Sequence, residues 1–454
     1  MPFIVKNKSY SLLTIFFIGI FCVCSCHFFV HWGLDNHPFK NDINQYYSYL
    51  NALFIEHDLT FKNNLNGYWL IETPTHHFVP KVTYGMAFFY SPFYLLAKLF
   101  SGVNYTGYEA VYTWMIHFGC IAYILTGLWF TRKTLLVWFN ETVTSIVMLS
   151  LFFGTNLFYY TVSESESVHG ILFFLISFFL YHVMKWYRFG SKKNFLVFSL
   201  VAGFICLIRP TECLVLVFPL LIGVLTFKDF KVKFQNIAKS KLLFFGGLIL
   251  FILPLFPQML YWKMQSGSYL FFSYGNSEGF FWKDPQIINV FFSYRKGFFV
   301  YTPIMIFSIC GFIFLYKKNK ELFYPILLYF LLNSYLICTW WDWAFGGSFG
   351  MRALVQVLAV LIIPFACFIQ WIFEKNTTIL LKLSTYLIIS FFCFLNVFQS
   401  NLYKHGIINY DGMTKEAYWF TFLKKTYSKD DLLYLETLVK HPNYDAMKQG
   451  KRDE

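Results

Sequence analysis

Long apolar runs recur along this chain with short polar loops between them, and that alternation restricts the fold more than any motif does. The hydrocarbon core of a bilayer is about 30 Å thick, and a helix needs roughly 20 apolar residues to cross it. Residues 10–30, 108–130, 134–153, 170–184, 195–208, 211–227, 242–262, 298–316, 322–339, 353–373 and 378–396 each supply such a run or a shorter one. Basic residues gather in some of the loops: Arg132-Lys133, Lys185 to Lys193, Lys228 to Lys241 and Lys317 to Lys320. Short basic loops stay in the cytoplasm. With Lys6 and Lys8 ahead of the first run, the N-terminus falls inside and residues 397–454 fall outside. The expected fold class is an all-α polytopic membrane protein, a bundle of about 11 transmembrane helices.

Composition supports this. Only 13% of residues are charged, against about 25% in a soluble domain. The net charge of +13 is spread over the loops between apolar runs, a pattern of membrane anchoring. No arginine-rich stripe is present, so no nucleic-acid partner is expected. The ten cysteines lie in or beside apolar runs and show no metal-ligand spacing. Neither a metal site nor a disulfide framework is expected. Cys22, Cys24 and Cys26 would splay over different faces of a helix, and residues 10–30 read as an uncleaved first span.

The run 84–100 contains Ser91, Pro92 and Lys98. A crossing there would put Arg132-Lys133 outside, so it is expected to be an interfacial or re-entrant helix. The organisation is then a membrane domain, 1–396, with outer loops at 31–107 and 263–297, and a small outer tail, 397–454. Arg209-Pro210 should break a helix and point outward. No internal repeat is visible.

Under this topology Asp42, Glu56, Asp58, Lys81, Glu164, Glu166, His169, Arg209, Glu212, Arg295, Lys296, Asp342 and Arg352 share the outer face. Each alone reads as a solvated or snorkelling side chain. Together they outline a site for an amphiphilic substrate. Sugar transfer on that side has no nucleotide sugars, so the donor would be a sugar on a polyprenyl phosphate. The acceptor hydroxyl needs a general base, and the departing phosphate needs Arg or Lys. Asp42 is the candidate base, with Glu56, Asp58 and Glu164 next, and a single base opposite the leaving group predicts inversion. Arg209, Arg295, Arg352 and Lys81 are candidate phosphate partners, with Lys296 behind them. Trp340, Trp341 and Trp343 could stack on sugars or belong to the interfacial aromatic belt. Glu212 could cap the helix after Pro210 and pair with Arg209. Gly346-Gly347 and Gly350 allow close backbone approach but are no nucleotide fingerprint.

Several stretches carry a family resemblance: NDINQYYSYLNALFIEHDL at 41–59, KVTYGMAFFYSPFYLLAKL at 81–99, IRPTE at 208–212, SYRKGFFVYTP at 293–303, WWDWAFGGSFGMR at 340–352 and HGIINYDGMTKEAYW at 405–419. In that order they resemble the GT-C superfamily of integral-membrane glycosyltransferases. The likeness is to many-pass Bacteroidetes proteins related to the lipid-A and protein-mannosyl transferases. The resemblance implies a catalytic carboxylate in the first outer loop, the position of Asp42, and interfacial helices in that loop. Tyr46, Tyr47 and Tyr84 join the substrate-binding candidates, as do Glu164, His169 and Asp342. Where the superfamily often has two adjacent acids, this chain has Asn41-Asp42, which weighs against a metal-dependent mechanism; no cofactor is expected.

The expected protein is an inverting glycosyltransferase of a bacterial inner membrane with its site facing the periplasm. Its partners would be a polyprenyl-phosphate sugar, a glycan, lipid or protein acceptor, and membrane lipids. The rivals are a transporter or flippase of lipid-linked glycans, which should show repeats and midplane charges, and a non-catalytic scaffold of a surface-assembly complex.

Overall fold

The computed structural model describes residues 9–30, 39–62, 69–102, 105–275, 278–374 and 377–451. Lys6 and Lys8, on which the orientation of the first helix rests, lie outside them. The chain is 70% helix and 2% strand, so the all-α class holds. Among the described residues the strand content is one antiparallel hairpin in the first loop, Leu70–Glu72 with Phe78–Pro80.

Among the described residues, four helices are long and apolar enough to cross a membrane: Ala110–Leu135, Val168–Phe189, Lys320–Thr339 and Ile379–Lys404. A fifth arises if the bent pair Phe227–Asn236 and Lys241–Ile252 is one span. The first helix, Tyr10–Phe29, has 20 residues; Glu141–Phe153, Pro210–Leu221 and Leu358–Phe373 are apolar but shorter. The expected 11 runs therefore do not all appear as span-length helices. Proline accounts for part of the difference, because it removes a backbone donor and clashes with the preceding turn. The 298–316 run splits at Pro303 into Phe298–Tyr301, a 3₁₀ turn and Ile306–Lys318, and the 242–262 run splits near Pro254. The Arg209-Pro210 break appears as expected: Lys192–Ile208 ends, Arg209 is extended, and a 3₁₀ segment follows. The 84–100 stretch is the helix Gly85–Phe100. The last long helix runs to Lys404, past the boundary of 396 read from the sequence.

Leu358–Phe373 is apolar all round and therefore central; every residue from Leu358 to Cys367 is buried. It packs against Ile306–Lys318 and Glu141–Phe153, while Val168–Phe189 packs between Ala110–Leu135 and Lys192–Ile208. The long helices divide by environment. In Val168–Phe189 72% of the apolar window is inside the protein, in Ile379–Lys404 only 22%. The latter turns Ile379, Leu380 and Leu387 outward, as a lipid-facing helix would.

Two pieces cover one end of the bundle. In the first loop, Asn41–Asn51 packs on Gly85–Phe100. Tyr47 fixes it, stacked 3.9 Å from Phe39 with its hydroxyl donating to the Gly107 carbonyl. The tail forms Lys415–Thr421, Lys429–Leu438 and Tyr444–Lys448 and folds back on the loops at 293–297 and 340–352.

The closest helix contact gives a test. A Cβ at Gly311 would stand 2.0 Å from the Pro364 carbonyl oxygen, whereas one at Gly246 would meet only Leu196 Cδ2 at 3.4 Å. Backbone cannot step aside as a side-chain tip can, and overpacking costs about 1–3 kcal/mol. Thermal unfolding in detergent should show Gly311→Ala clearly destabilised and Gly246→Ala close to the wild type.

Candidate active site

Asp42 lies in the first turn of Asn41–Asn51, and its Oδ2 is 3.0 Å from Arg352 Nη2. Arg352 opens the 3₁₀ turn that leads into the central helix. The ion pair thus joins the start of the first loop to the bundle core. The Asp42 side chain is 43% exposed and that of Arg352 22%, so the carboxylate is open to an incoming group while the guanidinium sits deeper.

Around this pair stand Tyr46, Tyr274, Arg209 and Glu164. Tyr46 is half-buried and lies within electrostatic reach of Asp42, Tyr274, Arg209 and Arg352. The Arg209 guanidinium lies 5.2 Å from the centre of the Phe345 ring. Glu164 accepts a 2.7 Å hydrogen bond from the Tyr159 hydroxyl. Burial pushes its carboxyl above the usual range, against the pull of Tyr159 and Arg352. Burial likewise raises Asp342, against Arg295 and Arg352. Asp342 Oδ1 has no hydrogen-bond partner among the described residues. Burial works against the Arg352 charge too, but Asp42, Tyr160, Glu164 and Asp342 hold it firmly protonated.

Backbone strain flanks the pair on both sides. Asn41 has φ 48° and Phe345 φ 57°. Asn tolerates this region, but a bulky residue there is an outlier. Such strain costs of order 1–3 kcal/mol and collects at functional sites. Gly350, at φ 56°, could carry no side chain at all: a Cβ would stand 2.4 Å from Asn156 Nδ2. The loop is pinned instead by Asn156 and Tyr160, which bond the Phe349 backbone.

Next to the pair lies a second layer of charge. Arg295 donates to the Asp411 carbonyl at 2.7 Å and to its Oδ1 at 3.0 Å, and its guanidinium stands over Trp343. Tyr444 donates to Asp411 Oδ2 at 2.6 Å. Lys296 is buried and donates to the Ser348 and Tyr410 carbonyls, so it ties the glycine loop to the tail.

The structure therefore brings together Asp42, Tyr46, Glu164, Arg209, Asp342 and Arg352, with Arg295 and Lys296 adjoining. Other candidates lie elsewhere or have other work. Glu212 does not pair with Arg209; it accepts from Tyr329 and Asn333 at 3.0 Å and from Gln356 at 2.8 Å. His169 lies 3.1 Å from the oxygen of the same Gln356, which makes both parts of a polar core network. Glu166 is fully buried and 2.7 Å from His117. Tyr47 is structural, and Tyr84 bonds Gln258 and the Pro254 carbonyl. Lys81 pairs with Glu278 at 2.6 Å and stands over the Tyr274 ring. Trp341 and Trp343 border a cavity of about 20 Å³, room for about one water and not for a sugar. Tyr274, Tyr410 and Asp411 were not singled out by the sequence reading, although the last two lie within one of the stretches that carry the family resemblance. No group of metal-ligating side chains occurs among the described residues. No protein-family model matches the chain, and a search of curated proteins found no match.

Lys296 yields a prediction with a definite sign. Burial lowers its amine to about 7, whereas in an unfolded chain it titrates near 10.4. Between those values the unfolded chain binds the extra proton, so this group makes stability rise with pH. Below about 7 the full cost of burying the ammonium remains. The stability of the wild type relative to Lys296→Met should therefore increase from about pH 7 to pH 9; a flat or falling difference contradicts it.

Proposed function

We propose that this protein is an integral-membrane glycosyltransferase of GT-C type that takes its sugar from a polyprenyl-phosphate carrier. The observation that carries the reading is the Asp42–Arg352 pair at 3.0 Å, with Tyr46 in electrostatic reach of the pair and of Arg209. A base and two guanidiniums are what transfer from a phosphate leaving group requires. Arg352 lies within electrostatic reach of Glu164 and Asp342 as well as Asp42, and Lys296 within reach of Asp342 and Asp411.

In the proposed reaction the phosphate of the donor takes over Arg352, which releases Asp42. Asp42 accepts the proton of the acceptor hydroxyl as its oxygen bonds to the anomeric carbon. The bond from that carbon to the phosphate oxygen breaks, with inversion, and the polyprenyl phosphate leaves with the electron pair, held by Arg352 and Arg209. The proposal keeps the topology drawn from the basic loops: about 11 crossings, the cluster on the periplasmic face of a bacterial inner membrane and the tail outside. The acceptor would be a surface glycan, lipid or protein.

Purified protein in nanodiscs, supplied with a panel of labelled polyprenyl-phosphate sugars, should transfer or hydrolyse at least one. Asp42→Asn should reduce turnover on the order of 100-fold or more while the protein still folds and unfolds cooperatively. Arg352→Lys should weaken donor use more than acceptor use, since lysine lacks the planar fork. Full activity in Asp42→Asn would move the base to another carboxylate.

A further inference from the structure

The helix Phe227–Lys239 stands apart from the site and serves none of the chemistry above. Its sequence, FKDFKVKFQNIAK, places Phe227, Phe230 and Phe234 within one arc at 100° per residue. Their rings line up along the helix, the first pair stacked and the second tilted, with centroids 6.4 Å and 4.5 Å apart. Phe227 is 81% exposed, and Lys228 and Lys231 beside the stripe are exposed as well. Phe227–Asn236 meets the apolar helix Lys241–Ile252 at 90°. If the second crosses a bilayer, the first lies along its surface.

Below the first turn an open groove of about 470 Å³ runs between Val224, Leu225, Phe227, Phe230 and Tyr324. That volume falls in the range of small-molecule sites, roughly 300–1,000 Å³. The charge beside it is mainly basic. Lys228, Lys231, Lys233, Lys239 and Lys241 outnumber Asp229 and Glu321, and the Glu321 carboxylate accepts from the Tyr187 hydroxyl at 2.6 Å. Asp229 is already committed to the helix start, where it accepts from the Leu225 and Thr226 amides and the Thr226 hydroxyl. Lys233 turns the other way, donating to the Ile222 carbonyl and standing over Trp186, and so anchors the helix to the bundle. An apolar groove with a basic rim at a membrane surface matches one ligand in both halves.

We propose that this groove and the first turns of the helix form a binding site for an anionic phospholipid. An acyl chain lies against Leu225, Phe230 and Tyr324, and the headgroup phosphate meets Lys228 and Lys231. The inference stands independently of the proposed transfer reaction. Native mass spectrometry of the detergent-purified full chain, with phosphatidylglycerol or phosphatidylcholine of identical chains, tests it. The wild type should retain phosphatidylglycerol preferentially. Lys228→Gln and Lys231→Gln should each weaken that retention by roughly fivefold and leave phosphatidylcholine unaffected. Phe230→Asp should reduce retention of both lipids, and free glycerol phosphate should not compete. Equal retention of the two lipids by the wild type, an anionic preference that survives both lysine substitutions, or displacement by glycerol phosphate would overturn the proposal.

Discussion

A guanidinium at the edge of an apolar bundle must find an anion, and Arg352 finds Asp42. Burying such a cation without a partner is costly, so this contact binds two distant parts of the chain. Arg352 is held by the turn that enters the central helix. Asp42 is held by a short helix whose seat depends on Tyr47, Phe39 and Gly107. The glycine loop runs close beside Arg352 at Gly346, next to the strained Phe345. Strain of this kind persists only where the surroundings over-determine it, here through Asn156 and Tyr160 on the Phe349 backbone.

The tail is part of the same construction. Asp411 engages Arg295 and Tyr444, and Lys296 joins the carbonyls of Ser348 and Tyr410. With Arg295 engaged by Asp411 and Lys81 by Glu278, Arg352 pairs with the exposed carboxylate and Arg209 lies in electrostatic reach of Tyr46 beside it. Of the cationic candidates, the geometry thus favours two as partners for an arriving phosphate.

The helical class and the apolar character were legible in the chain, because both follow from local runs of side chains. So was the helix break at Arg209-Pro210, which proline imposes by itself. The candidate cluster was legible in part. Asp42, Arg209 and Arg352, which the structure brings together, were singled out because charged residues are rare between apolar runs, and topology alone put them on one face. Glu212, offered as a cap and partner for Arg209 or a member of the outer-face cluster, instead accepts from Tyr329, Asn333 and Gln356, which come from far along the sequence, and no local pattern announces them. Asp411 and Tyr410 escaped for the same reason. Helix lengths were overdrawn where hydropathy continues through a turn, as at Pro254 and Pro303; apolar runs and unbroken helices are different things.

In the proposed reaction one guanidinium serves two anions in turn, first Asp42 and then the phosphate of the carrier. Removing the first should not harm the second. The direct measurement is the affinity of purified Asp42→Asn protein for polyprenyl phosphate, by calorimetry or a displacement assay in nanodiscs, beside its turnover. The account predicts that turnover collapses while the affinity is kept or becomes tighter. An affinity that falls together with turnover would contradict it, because Asp42 would then be holding the site together and Arg352 would not be waiting for the phosphate.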